Sequence, residues 1–97
     1  MADVLFLPAA FEDAREAVSW YRAKSMRAAE RFEKQLVKCL ESVAANPELY
    51  ALIDERHRQA ILRRFPYSLV YRIDPDRILI VAVAHAKRLP FWQERTP

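Results

Sequence analysis

The residues best equipped for chemistry cluster near the end of the chain: His85, Lys87, Arg88, Trp92 and Arg95. An imidazole can move a proton near neutral pH. Lysine and arginine hold anions, and arginine does so through a planar fork that fits phosphates and carboxylates. A tryptophan among such cations can stack on bases or anchor a protein interface. These residues follow the longest apolar run of the chain, residues 78–84. His85 therefore marks the end of a buried strand, a position held rigidly yet able to meet solvent. The plainer reading of His85 is a hydrogen-bonded strand cap, because no carboxylate lies close in sequence to orient it. Phe91 and Trp92 are too apolar for a frayed tail, so they either fold back or meet another chain.

Further candidates lie upstream. Arg63 and Arg72 are expected to converge with Arg88 and Arg95 on one side, near Tyr71 and Trp92. Such a set suits RNA through phosphate and base contacts, or an acidic protein through hot-spot residues. His57 falls in a loop and is expected to be solvated. Cys39 lies among the apolar positions of a helix and reads as an inert core thiol. As the only cysteine it excludes an internal disulfide and fits a reducing compartment. Two histidines, one thiol and scattered carboxylates show no metal-ligand spacing, so neither metal nor other cofactor is expected. The sequence contains no glycine, which removes the P-loop and the dinucleotide-binding GxGxxG turn, since both need close backbone approach and positive φ. The N-terminus lacks the basic stretch of a secretory signal, and no apolar run is long enough to cross a bilayer. A soluble, cytoplasmic protein with no membrane partner is expected.

A chain of 97 residues, 53% hydrophobic and 30% charged, suits one domain spanning 1–97 around a small core. The net charge of +3 is unevenly spread: residues 1–55 carry −3 and residues 56–97 carry +6. All the bases of the second part are arginine except Lys87. That half suits an anionic partner, although the solvent face of a sheet must be polar in any case.

The elements that would position these groups follow from the pattern. Residues 4–7 form a short apolar strand. Pro8 suits the first turn of a helix that ends near Lys24, with Glu12 and Asp13 at its positive end and Phe11, Ala14, Val18 and Tyr21 on its apolar face. Ser25 caps a second helix, with Ala29, Phe32, Leu36, Cys39, Leu40 and Val43 as its stripe, and Asn46-Pro47 stops it. A linker of two or three residues makes these an antiparallel helix hairpin. Residues 48–57 form a loop, 58–64 a strand, and Phe65-Pro66-Tyr67 a break. Residues 68–74 alternate as a strand, Asp74-Pro75-Asp76-Arg77 turns, and residues 78–85 form a central strand buried on both faces. The fold class is α+β, in the order β-α-α-β-β-β: an antiparallel-rich twisted sheet packed against an N-terminal helix hairpin.

With these residues in place the chain resembles the RelE/ParE superfamily of bacterial type II toxin–antitoxin toxins. The resemblance spans nearly the whole chain: Trp20-Tyr21 and Phe32 in the hairpin, Asn46-Pro47, Arg64-Phe65-Pro66-Tyr67, Val70-Tyr71, His85-Ala86-Lys87-Arg88 and Pro90-Phe91-Trp92. It implies the β-α-α-β-β-β fold and a growth-arresting toxin neutralised by a cognate antitoxin. RelE-like members cut mRNA on the ribosome; ParE-like members poison DNA gyrase without nuclease activity. Where the RelE pattern has an arginine at the entry to the Tyr71 strand, this chain has Ser68. The arginine at the exit of the final strand corresponds to Arg88. The late tyrosine of RelE is replaced by the region of Phe91, Trp92 and Gln93. Loss of a cation and a proton-transfer group points to the ParE side, with DNA gyrase as target and Lys87, Arg88, Trp92 and Arg95 as the target-binding surface. The alternative is a ribosome-dependent mRNA endoribonuclease with Arg88 and His85 as catalytic residues. Under either reading an acidic or amphipathic antitoxin segment docks on the hairpin and the sheet, with Trp20, Tyr21 and Arg72 as contacts.

Overall fold

The computed structural model describes residues 3–88 and 90–96. The elements follow the expected order: β1 (Val4–Phe6), α1 (Pro8–Lys24), α2 (Met26–Ala45), a 3₁₀ turn (Pro47–Leu49), β2 (Arg58–Ile61), β3 (Tyr67–Ile73) and β4 (Ile78–His85). The four strands form one sheet in the order β1-β4-β3-β2. β1 runs parallel to β4, while the other neighbours are antiparallel. Only Ser25 separates the helices, a tighter link than expected. Its side chain accepts the backbone N–H of Ala28, and its own N–H bonds to the carbonyl of Tyr21, so one residue ends α1 and starts α2.

α1 meets the sheet through Ala10, Ala14 and Ala17. These small side chains let the helix lie close, and Phe11, expected inside, is left 57% exposed. α2 buries Ala29, Phe32, Leu36, Val43 and Ala44, close to the expected stripe. The central layer of this core is aromatic. Phe32 stacks on Tyr21 with centroids 5.1 Å apart, and Phe65 and Tyr67 meet both rings edge-on.

The other face of the sheet carries a second apolar cluster of Val70, Leu79, Val81, Ala82, Ala84 and Trp92. The chain after β4 folds back over this face. The molecule is thus helix hairpin, sheet and returning tail, and β4 is dry on both sides. Val81 has no partner on β3, because Val70 pairs with Ala82 and Tyr71 pairs with Ile80. This bulge changes the parity of β4: Ile78 and Ile80 pack toward the helices before it, Val83 after it.

β2 ends at Ile61, earlier than expected, and β3 begins at Tyr67. Between them Leu62 N–H bonds to the carbonyl of Tyr67, and Arg64 turns the chain with φ of 65°. A chain without glycine has to place another residue in this left-handed conformation, at a cost of roughly 1 kcal/mol.

Candidate functional site

The exit of β4 brings His85, Arg88, Tyr67 and Val83 together with Asp13, Glu16, Ala17 and Trp20 of α1 around a cleft of about 200 Å³. The bulge at Val81 makes this possible, since it returns residues 83 and 85 to the helix side of the sheet. The His85 ring lies edge-on to Tyr67, with centroids 5.0 Å apart. Its Nδ1 accepts the backbone N–H of Lys87 at 3.0 Å, so the ring proton of the neutral form sits on Nε2. The capping role is therefore real, and Asp13 and Glu16 of α1 share the cleft with the imidazole. Burial pushes the Tyr67 phenol above its ordinary value, against the opposing pull of Arg88. Sequence reasoning missed Tyr67, Asp13 and Glu16 here. The return of a helix across a strand end is the only signal that could have found them.

Beyond His85 the chain makes two turns and comes back. Ala86 N–H bonds to the carbonyl of Pro66, and Arg88 N–H to that of His85. Lys87 and Arg88 are exposed. The Arg88 guanidinium lies 4.0 Å from the centroid of Phe91, and that of Arg95 lies 4.8 Å from it. Arg95 is committed further. Nη1 and Nη2 donate to the two oxygens of Asp13 at 2.7 and 3.1 Å, and Nη1 also donates to the carbonyl of Val81 at 2.9 Å. Trp92 is 8% exposed in the apolar layer of the sheet. The wet cationic exit expected from sequence thus divides: Lys87 and Arg88 face solvent, whereas Trp92 and Arg95 hold the tail to the sheet.

The expected convergence of four arginines is met by two of them: Arg88 and Arg95 share the Phe91 ring, while Arg63 and Arg72 lie elsewhere. Arg72 pairs with Asp74 at 2.8 Å near the β3–β4 turn, the opposite end of β3 from Tyr67 and His85. Arg63 lies beyond β2, beside α2. Tyr71 is fully buried, and its hydroxyl donates to the carbonyl of Pro47 at 2.6 Å. That bond pins the 3₁₀ turn to the sheet, and burial raises the phenol to about 12. His57 corrects the solvated-loop expectation: it is 1% exposed. Asp54 accepts the backbone N–H groups of Arg56 and His57 and faces His57 Nδ1 at 2.9 Å, an Asx-type turn that draws the imidazole inward. Cys39 is half-buried with its sulfur 3.8 Å from the Ala60 carbonyl, and burial raises the thiol to about 11. It is inert in that form.

The hairpin offers a second surface. Phe11, Ala14, Val18, Leu36 and Val37 line a groove of about 380 Å³ along both helices, bordered by Arg15, Arg22 and Glu33. Trp20 lies on the opposite side of α1, at the β4-exit cleft, and stands 56% exposed, edge-on to Tyr21 at 5.0 Å and beneath Lys24 Nζ at 5.1 Å. Tyr21 itself is half-buried in the aromatic core. Among the described residues no group of three or more His, Cys, Asp or Glu side chains could hold a metal ion, and no helix is long and apolar enough to cross a membrane.

A helix hairpin on a four-stranded sheet with a parallel edge strand is also the fold of a toxin–antitoxin protein of known structure. A chain described as "Chromosomal ParDE TA system from P. aeruginosa" matches with a TM-score of 0.73 and 17% identity, over 90% of this chain and 98% of that one. No curated protein matches the sequence. Residues 4–90 match the model of the ParE toxin of type II toxin–antitoxin systems (parDE), and the chain belongs to that family. The RelE/ParE resemblance read from the residues is thereby resolved to the ParE side.

Proposed function

We propose that this chain arrests growth by poisoning DNA gyrase without enzymatic chemistry of its own, and that a cognate antitoxin holds it inactive. The family match over residues 4–90 carries this reading. The cleft at the β4 exit agrees with it. At about 200 Å³ it is smaller than an ordinary small-molecule site, so a nucleotide would not be enclosed there. His85 Nδ1 is engaged by the backbone of Lys87, and Ser68 stands where a nuclease of the superfamily has arginine. Lys87 and Arg88 then serve as a protein-contact surface, while Trp92 and Arg95 keep the segment that presents them in place. Purified protein should inhibit gyrase supercoiling and trap gyrase-dependent DNA breaks. Untouched supercoiling at saturating protein would overturn the proposal.

The antitoxin reading rests on the hairpin groove. An amphipathic helix laid in it would cover Phe11, Val18 and Val37, with Arg22 available to an acidic flank, whereas Trp20, on the opposite side of α1, would need a separate part of the antitoxin. Arg72, at the far end of β3, would be reached by an extended segment rather than by the same helix.

One observation favours the ribonuclease alternative: Tyr67, His85, Arg88 and Glu16 share a cleft and so combine an acid–base pair with a cation. New translation-dependent ends in a reporter mRNA, lost in His85→Ala and Arg88→Ala, would establish it in place of the gyrase reading.

A further inference from the structure

A separate cleft of about 500 Å³ opens between α2 and the β2–β3 connection. Gln35, Lys38 and Ser42 reach it from one stripe of α2, and Ile61, Arg63 and Arg64 from the sheet side. Its lining holds three cations and no carboxylate. Four arginines elsewhere are held by partners, Arg15 by Glu12, Arg58 by the carbonyls of Glu48 and Tyr50, Arg72 by Asp74 and Arg95 by Asp13, while those of the cleft are gathered with a lysine in one concavity. Lys38, Arg63 and Arg64 are exposed and, among the described residues, have no ion-pair or hydrogen-bonding side-chain partner.

The backbone explains how neighbours in sequence meet in one cleft. Successive side chains of an extended strand point to opposite faces, so Arg63 and Arg64 would separate. The left-handed turn at Arg64, φ 65°, folds both toward α2. Phe65, fixed against Phe32 and Tyr21, and the Leu62–Tyr67 bond keep the turn in place. Strained residues of this kind persist where the surroundings over-determine them, and they concentrate at functional positions.

We propose that this cleft binds the phosphate backbone of a nucleic acid, with Lys38, Arg63 and Arg64 each neutralising a phosphate and Gln35 and Ser42 donating to phosphate oxygens. Two arginine forks and an ammonium facing solvent without counter-charge match a row of phosphates. An acidic peptide would need apolar anchors as well, and the cleft offers only the end of β2 at Ile61 and the half-buried Tyr50. The site is distinct from the β4 exit and does not depend on what that surface binds.

The test is fluorescence anisotropy of a short labelled DNA duplex of mixed sequence with the full chain, titrated at several salt concentrations. The variant is Arg63→Gln/Arg64→Asn, in which asparagine keeps the left-handed turn accessible. Its affinity should fall at least about tenfold at low salt, and the slope of log K against log salt should shrink by about two, near one unit per lost phosphate contact. Lys38→Gln, on an exposed helix position, should shrink the slope by about one and leaves the turn untouched. The control Arg27→Gln/Arg77→Gln removes the same charge from exposed positions outside the cleft. Equal losses in cleft variants and control would overturn the site, as would unchanged binding in the cleft variants. Tighter binding of a polyglutamate peptide than of the duplex, lost in the cleft variants, would overturn the nucleic-acid ligand in favour of an acidic protein.

Discussion

Asp13 and Arg95 form a bidentate ion pair that closes the free edge of β4. β1 pairs with β4 only as far as Ile80. Beyond it, Val83 N–H donates to Asp13 Oδ2 at 3.1 Å, and the Val81 carbonyl accepts from Arg95 Nη1 at 2.9 Å. One side chain from α1 and one from the tail thus replace the strand that would otherwise continue the sheet. A hidden sheet edge also gives no template for aggregation. Asp13, expected at the positive end of the helix dipole, works across the sheet instead.

Arg95→Ala should cost about 2 kcal/mol, in line with charge-assisted hydrogen bonds in a partly buried setting. Chemical denaturation measures the loss. The Val83 amide should lose hydrogen-exchange protection in the same variant. Arg95→Lys should recover only part of the stability, because a single ammonium cannot span both oxygens of Asp13 and the Val81 carbonyl.

Trp92 and Arg88 should separate stability from activity. Trp92→Ala should destabilise the fold by about 3 kcal/mol, since it empties a large volume from the outer face of the sheet. Arg88→Ala should leave the denaturation midpoint nearly unchanged, because its guanidinium contact is an exposed one with Phe91, and should abolish growth arrest. The two midpoints and the two growth curves check both statements.

Tyr71→Phe should cost about 1 kcal/mol or slightly more through loss of the bond to the Pro47 carbonyl, which is left without its partner. The effect should concentrate in the 3₁₀ turn, read as faster exchange of the Leu49 amide.

Alkaline pH should weaken the fold in two overlapping steps. Burial raises Cys39 from 9.0 to about 11 and Tyr71 from 10.0 to about 12. In both cases the folded state keeps a proton that the unfolded chain has released, so stability is full below the unfolded value and falls through the window above it. The decline should start near pH 9, where Cys39 titrates in the unfolded chain, and continue toward pH 12. Denaturation midpoints across that range should show Cys39→Ala losing the earlier part of the decline and keeping the later part.

Phe11→Ala should weaken antitoxin binding at least tenfold without unfolding the toxin, because Phe11 is 57% exposed in the hairpin groove. Calorimetric titration with the antitoxin's toxin-binding segment measures it, with Arg27→Ala as an exposed control.

The element order was legible because strong local signals agreed: Pro8 at a helix start, Ser25 as a cap, Asn46-Pro47 as a stop, and Asp74-Pro75 in a turn. What stayed hidden depended on contacts distant in sequence. β4 is apolar on both faces, so no periodicity could show that the bulge at Val81 sends His85 toward α1. The apolarity of Phe91 and Trp92 left two readings, folding back or meeting another chain, and nothing local shows that Trp92 lands on Val70 and Arg95 on Asp13. His57 read as solvated because the pull of Asp54 is tertiary in effect though only three residues away. Arg63 and Arg72 were expected beside Arg88 and Arg95 because their number was visible and their directions were not. Arg64 is the instructive case: with no glycine in the sequence, no residue type announced the left-handed turn.

Under the proposed gyrase reading the toxin would act through Lys87 and Arg88, and one assay tests this directly. Purified protein mixed with gyrase and supercoiled plasmid should convert the plasmid to the linear form after detergent and protease treatment. Lys87→Ala/Arg88→Ala, folded to the same denaturation midpoint, should produce no linear plasmid. Equal linearisation by the variant would contradict the assigned surface. No linearisation by the wild-type protein, together with translation-dependent cuts in mRNA, would contradict the gyrase reading itself.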